Sequence, residues 1–365
     1  MKEFLEQYKL DAVLVHTPAN MRNISGFTGE GLVYVSKEDA WILTDSRYTI
    51  AAAKESRGFE VLEYKKNMQQ YLVEKIVKEH PELVEKTFRI GFEDAVMTVE
   101  TYRTLEALFE KMNLKQWELV PLHKKLDKMR RIKTPEEIES IKKAEKIGDE
   151  AFTKVTDWLT KCYREKTSVT EKQVAAHIEF YMRDAGAEGT SFDTIAASGI
   201  HSSMPHAVPT DKVLEEGDFL TMDFGCLVNG YCSDMTRTIV YGRADEKQTE
   251  IYDVVLQAQM TALQAIKPGM TGKEVDAIAR DVIKEAGYGD CFGHSLGHSV
   301  GLEIHETPCF SPREESVIEP GMVITVEPGI YVEGFGGVRI EDVVVITENG
   351  CENITHSPKE RMEIQ

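Results

Sequence analysis

The sequence predicts an α/β N-terminal domain over residues 1–125 and an α+β C-terminal domain over residues 126–365, the second with an internal pseudo-twofold. Three observations lead there: apolar runs alternating with helical patterns up to Val120, a helix-start signal at Thr134, and a long block after it that repeats itself. In the first stretch DAVLV, GLVYV, AWILT, FEVLEY, FRIGF and WELV have the length and composition of strands. Met68–His80 and Thr98–Met112 carry apolar residues at helical spacing, and alternation of the two patterns argues for a small α/β layer structure. A basic run, Lys124–Lys133, leads into Thr134-Pro135-Glu136-Glu137. Thr as N-cap, Pro at the first helical position and Glu three residues past the cap start a helix.

In the remainder, VTEKQVAAHIEFYMRDAG (169–186) matches MTGKEVDAIARDVIKEAG (270–287), with Thr170, Lys172, Val174, Ala176, Ala185 and Gly186 facing identical residues. Further on, EEGDFLTMDFG (215–225) matches EPGMVITVEPG (319–329), so Glu215, Gly217, Thr221, Asp223 and Gly225 face Glu319, Gly321, Thr325, Glu327 and Gly329. Each half reads as two helices followed by a strand hairpin, with the hairpins forming a sheet and the helices packed outside.

A chain of 365 residues has room for two domains of ordinary size. Its 62 acidic against 43 basic residues give a net charge of −19, a field that repels phosphate backbones and argues against a nucleic-acid partner. Hydrophobic residues at 42% and charged residues at 29% fit a soluble protein with a real core. No apolar stretch approaches the roughly 20 residues of a membrane span, and MKEFLEQYKL lacks the apolar centre of a signal peptide. Six cysteines without a CxxC pair read as reduced thiols, and the expected location is cytoplasmic.

Asp223 lies near the end of the apolar strand DFLTMDF, and Asp234 follows a turn containing Asn229-Gly230, a strong hairpin signal. Closing that hairpin brings Asp234 next to Asp223 or diagonally across from it. The repeat puts Glu327 where Asp223 sits in the first half, and Glu341 lies across the following hairpin. Any one of these acids alone reads as an edge residue facing water. All four at matched places in a duplicated unit read as a cluster in the sheet centre, which repels itself unless cations or protons offset the charge. FGHSLGHSVGLEIHETP (292–308) adds His294 and His298 without the Glu of HExxH, so a zincin is disfavoured. One imidazole with four carboxylates suits two divalent ions such as Mn²⁺, Co²⁺, Fe²⁺ or Zn²⁺. Such a pair binds a hydroxide and polarises a carbonyl, the chemistry of hydrolysis. The same segment contains GHSLG, which matches the nucleophile elbow of serine hydrolases and makes Ser295 a remote alternative with His305 or His356 as base. That motif needs a strand before it and a helix after it, and AGYGDCF is a poor strand.

Along nearly the whole chain these blocks resemble the pita-bread metallopeptidases of the creatinase, aminopeptidase P and prolidase type. FDTIAASG, MDFG with SDMTRT, HSLGHSVGLEIHE, TVEPGIY and GGVRIED follow in the family's order, and ISGFTGEG with LTDSRYT resembles its creatinase-type N-terminal domain. The resemblance implies a dinuclear site of Asp223, Asp234, His298, Glu327 and Glu341, with Asp234 and Glu341 touching both ions, Mn first among candidates and Co, Zn or Fe as alternatives. It implies Glu327 as general base toward a metal-bridging hydroxide. His206 and His305 would be catalytic, and with His294 and Arg339 would bind substrate. Without the resemblance, His206 reads as a loop histidine, His294 as packing in a glycine-rich loop, His305 as a satisfied core histidine and Arg339 as a carboxylate's partner. Tyr231, just past the turn, is a further candidate to line the site, although a strand tyrosine is usually packing. The implied activity is hydrolysis of the bond between an N-terminal residue and proline in proline-containing peptides, by a homodimer. Cys309 stands where some prolidases carry an arginine that meets the substrate carboxylate. That replacement favours an Xaa-Pro aminopeptidase over an Xaa-Pro dipeptidase, whereas the short interval from Glu327 to Glu341 resembles short microbial prolidases.

Overall fold

Each of the six apolar runs before residue 122 is a strand of one mixed sheet. They are β1 (Ala12–Val15), β2 (Leu32–Ser36), β3 (Ala40–Thr44), β4 (Glu60–Glu63), β5 (Phe88–Phe92) and β6 (Trp117–Pro121), in the order β4-β3-β2-β1-β5-β6. The first three pair antiparallel, and β4, β5 and β6 join in parallel. Side chains alternate across β1. Ala12 and Leu14 join the core formed with α4 (Met68–Glu79) and α5 (Val99–Lys111), while Val13 and Val15 join the core formed with α1 (Lys2–Tyr8), α2 (Pro18–Ser25) and α3 (Thr49–Glu55). The computed structural model describes residues 1–365, which divide into two units, Met1–Arg130 and Arg131–Gln365. No helix is long and apolar enough to cross a membrane.

The second unit opens with α6 (Pro135–Glu165), whose Thr134 and Glu137 form a reciprocal capping box. Thr170 and Thr271, paired in the repeat, cap α7 (Glu171–Asp184) and α9 (Gly272–Glu285) in the same manner, and α8 (Glu246–Ala265) lies between. The first half supplies β7 (Ile195–Ser198), β8 (Asp218–Phe224) and β11 (Met235–Tyr241), with the short pair β9 (Leu227–Val228) and β10 (Tyr231–Cys232) at the turn. Asn229 and Gly230 both take positive φ there, as the tight hairpin requires. The second half supplies β12 (Gly297–Ser299), β13 (Glu306–Phe310), β14 (Val323–Val326), β15 (Gly329–Val332), β16 (Gly336–Arg339), β17 (Asp342–Ile346) and β18 (Cys351–Asn353). With β19 (Glu363–Ile364) these make a four-stranded sheet, β19-β11-β8-β7, and a five-stranded sheet, β13-β12-β14-β17-β18.

The duplication is visible in the packing. One core gathers α6 and α7 against β8 and β11, and the other gathers α8 and α9 against β14, β15, β16 and β17. The two hairpins are stitched where they meet: Glu341 N–H donates to Thr236 O at 3.0 Å, and Arg339 N–H donates to Thr238 Oγ1 at 3.2 Å. In β8–β11 the register pairs Asp223 with Thr236, so Asp234 lies diagonally from Asp223. In β14–β17 it pairs Val326 with Asp342, leaving Glu327 and Glu341 just beyond the ladder.

Gly225 permits this closure, because a Cβ there would lie 1.9 Å from the Ser233 carbonyl oxygen. Gly225→Ala is expected to destabilise the second unit by about 1–3 kcal/mol through overpacking against backbone. A urea unfolding midpoint equal to wild type would contradict that close approach.

Candidate metal centre

The sheet ends deliver five side chains to one place. Asp223 is the penultimate residue of β8 and Asp234 precedes β11; Glu327 follows β14 and Glu341 precedes β17. His298 is the middle residue of β12. All five line one cavity of about 700 Å³, and the ligand atoms of Asp234, His298 and Glu341 lie within 4.8 Å of one another.

Charge balance is the problem this arrangement poses. Burial, then the neighbouring carboxylates, holds Asp234 and Glu341 well above the usual carboxylate range, and burial pushes Glu327 up to about 8. Arg339 is the one guanidinium on the cavity wall, donating to Asp223 Oδ2 at 2.6 Å. Asp223 Oδ1 is buried with no hydrogen-bond partner. His298 is held neutral by burial, its pKa pushed down to about 4. Its Nδ1 faces Ser299 O at 3.3 Å, which only accepts, so the lone pair sits on Nε2. That Nε2 lies 3.4 Å from Asp234 Oδ2 and 3.5 Å from Glu327 Oε1, between a carboxyl of each half. An orphaned carboxylate oxygen, an imidazole lone pair and four crowded carboxyls are the donor set of hard divalent cations, and the residues fit two of them.

The remaining predicted residues divide. His206, His294, His305 and Arg339 all line the cavity, His305 with its ring 4.4 Å from that of His298. His294 is already committed at both nitrogens. Nδ1 donates to Ser295 O at 2.7 Å, and Nε2 accepts from the Tyr331 hydroxyl at 2.9 Å. Tyr231 lies outside the cavity. Its hydroxyl donates to Glu137 Oε1 at 2.7 Å and its ring packs beside Ile141 and Val323, because β10 turns it toward α6. Ser295 lines the cavity, but a short 3₁₀ turn at 289–291 precedes it and β12 follows it, the wrong surroundings for a nucleophile elbow.

Sequence reading missed the residues that hold the ligands. Thr236 Oγ1 donates to Glu341 Oε2 at 2.6 Å and accepts from Arg339 Nε at 3.0 Å. Thr325 Oγ1 donates to Glu327 Oε1 at 3.1 Å and accepts from His298 N–H at 3.0 Å. Glu145 of α6 accepts the Asp234 N–H at 2.8 Å, with burial pushing its carboxyl up to about 8. Tyr331 bridges His294 to Arg339 Nη1, 2.7 Å away. The available signal was a threonine two residues from an acid in each half: Asp234/Thr236 and Thr325/Glu327.

A buried carboxylate–histidine cluster beneath duplicated hairpins defines a metal-dependent hydrolase, and comparison with known proteins agrees. The pattern of metallopeptidase family M24 matches residues 139–348, and that of the creatinase/prolidase N-terminal domain matches residues 1–132. The chain therefore belongs to metallopeptidase family M24, with a creatinase-type N-terminal domain and a pita-bread catalytic domain. It is 43% identical to the Xaa-Pro dipeptidase of Pyrococcus furiosus, covering 98% of this chain and 97% of that one. Among solved structures it resembles the Xaa-Pro dipeptidase from Bacillus anthracis, with a TM-score of 0.91 and 40% identity over 99% of this chain and 97% of that one. It also resembles the X-Pro aminopeptidase from Thermotoga maritima, with a TM-score of 0.87 and 38% identity over 98% and 99% of the two chains.

Two outcomes follow from this geometry. Thr236→Val removes the hydroxyl shared by Glu341 and Arg339 and is expected to weaken metal binding about 10- to 100-fold by titration calorimetry. The second concerns pH. Glu145 and Glu327 keep their protons up to about 8 in the folded, cation-free protein, against 4.5 for an unperturbed glutamate. The fold then binds more protons than the unfolded chain, so stability falls as pH rises between those values. Cations replace protons on Glu327, so the Tm gap between metal-loaded and chelated protein should widen with pH. A gap constant across that window would contradict the assignment.

Proposed function

We propose that this chain is an Xaa-Pro dipeptidase, cutting between an N-terminal residue and a following proline, with two divalent ions held by Asp223, Asp234, His298, Glu327 and Glu341. The observation that carries the proposal is the crowding of these five groups in one cavity that, besides its histidines and Arg339, also has apolar walls. Phe192, Ile195, Pro205, Val208, Pro209 and Ile304 line those walls and suit a pyrrolidine ring. Relatives named Xaa-Pro dipeptidase support the substrate class. Cys309 on the same wall carries no charge for a free carboxylate, and the structural likeness to an X-Pro aminopeptidase favours longer peptides as the second reading.

When bound, the ions supply Lewis acidity to the scissile carbonyl and acidify a water. The protein does the rest. Glu327, oriented by Thr325, accepts the proton of the attacking water. A proline nitrogen has no N–H and departs readily only once protonated; His206 and His305 face the cavity and are assigned to that transfer and to the tetrahedral oxygen. Arg339 spends its hydrogen bonds on Asp223, Thr236 and Tyr331, and His294 on Tyr331 and Ser295, so their part is to hold the wall against which substrate lies. We assign Mn²⁺ as the resident ion, with Co²⁺, Zn²⁺ or Fe²⁺ able to substitute, because the set is rich in oxygen. Six unpaired cysteines support a reducing, cytoplasmic setting. Ile200, Met204 and Val208, exposed beside His206 in the chain, support a homodimer.

The test compares Mn²⁺-loaded protein on an Xaa-Pro dipeptide and an Xaa-Pro-Xaa tripeptide, each with a chelator control. Dipeptide cleavage lost on chelation is the expected result, and tripeptide cleavage establishes the second reading. Glu327→Gln should lower kcat by about 10²- to 10⁴-fold with the fold intact. Cleavage of neither peptide, or indifference to chelator, sinks the proposal.

A further inference from the structure

We infer that Glu171 is a positioning residue whose buried carboxylate clamps both ends of the segment 198–210 and thereby fixes His206 and one apolar wall of the cavity, an inference that rests on the function proposed above. Glu171 is the first residue of α7 and is 0% exposed. An acid at that position is ordinarily there for the helix dipole, yet this carboxylate turns away from the amides of its own helix. Its Oε1 accepts from Ser198 N–H at 2.7 Å and Ser198 Oγ at 2.8 Å. Its Oε2 accepts from Thr210 N–H at 2.9 Å and Thr210 Oγ1 at 2.6 Å. His201 Nδ1 lies 3.2 and 3.3 Å from the two oxygens.

Between the clamped ends run Pro205, His206, Ala207, Val208 and Pro209, all of which line the cavity. The middle of the segment is also held by Gly337 N–H to Ser202 Oγ at 2.9 Å, by Arg339 Nη1 to Pro205 O at 3.4 Å and by the burial of Ser202 and Ala207. Two of its outer side chains gain little from packing, since Ile200 and Met204 are 57% and 50% exposed. The carboxylate ties the two ends to each other, and only a group with two acceptor oxygens can accept from the backbone N–H of both. An amide would turn its NH₂ toward the donors of one end.

Glu171→Gln tests this, since it keeps the shape and removes the side-chain acceptor at one end. We expect KM for an Xaa-Pro dipeptide to rise about tenfold or more, Mn²⁺ affinity to stay at the wild-type value, and amide hydrogen exchange to accelerate in 199–210 and not in the hairpins. Thr210→Val, which deletes one donor, should shift KM the same way by less, and Glu171→Asp should recover part of the loss. In a His206→Ala background Glu171→Gln should add little. Unchanged exchange in 199–210, or a loss confined to kcat in proportion to a smaller folded fraction, overturns the clamp. If wild type cleaves no Xaa-Pro peptide, the functional reading falls, and the exchange measurement still decides the clamp by itself.

Discussion

Mutual repulsion among Asp223, Asp234, Glu327 and Glu341 is the constraint on which the second unit depends. Two like unit charges 4 Å apart oppose each other by about 4 kcal/mol at an effective dielectric of 20. A domain's whole stability is only about 5–15 kcal/mol, so four ionised carboxyls around a single guanidinium would consume it. The fold survives by keeping protons on the cluster or by exchanging them for cations. The raised positions of Asp234, Glu327 and Glu341 and the neutral His298 describe the first state. The unpartnered Asp223 oxygen and the imidazole lone pair describe readiness for the second.

Holding such a cluster open requires rigidity, and the structure takes it from neutral groups. Thr236 and Thr325 each give one proton to a carboxylate and accept one from a neighbour, so neither adds charge. Arg339 adds the only fixed positive charge on the wall, held by Asp223, Thr236 and Tyr331, and burial pushes the Tyr331 phenol up to about 12 and so keeps it a donor to His294. Around this frame the backbone stitches between the hairpins leave the acids little freedom to separate.

Much of this was legible in the residues. The β8–β11 turn followed from Asn229-Gly230, and the matched positions of Asp223 and Glu327 followed from the duplication, because local propensity and repeat geometry both operate within short windows. Six strands of the first unit followed from their apolar runs for the same reason. The supporting threonines were invisible, since a threonine in a strand is ordinary β chemistry and only register reveals that Thr236 faces Asp223. Tyr231 misled because a strand residue next to a site alternates toward it or away from it, and two short strands at the turn leave that parity undecided from sequence. Glu171 hid behind a plausible local reason, the helix start, while its partners stand 27 to 39 residues along the chain.

The duplication carries one more consequence. Asp223 and Asp234 belong wholly to the first repeat, whereas His298, Glu327 and Glu341 belong to the second, and the connection between them runs through the loop from Gly242 to Asp245 ahead of α8. Neither repeat by itself holds enough ligands for the shared site, so the centre exists only as a contact between two folded halves. The halves also exchange structure at the chain's end, where β19 returns to pair with β11 of the first repeat. The second unit thus has the anatomy of a duplicated unit whose two copies, joined in one chain, share a single centre.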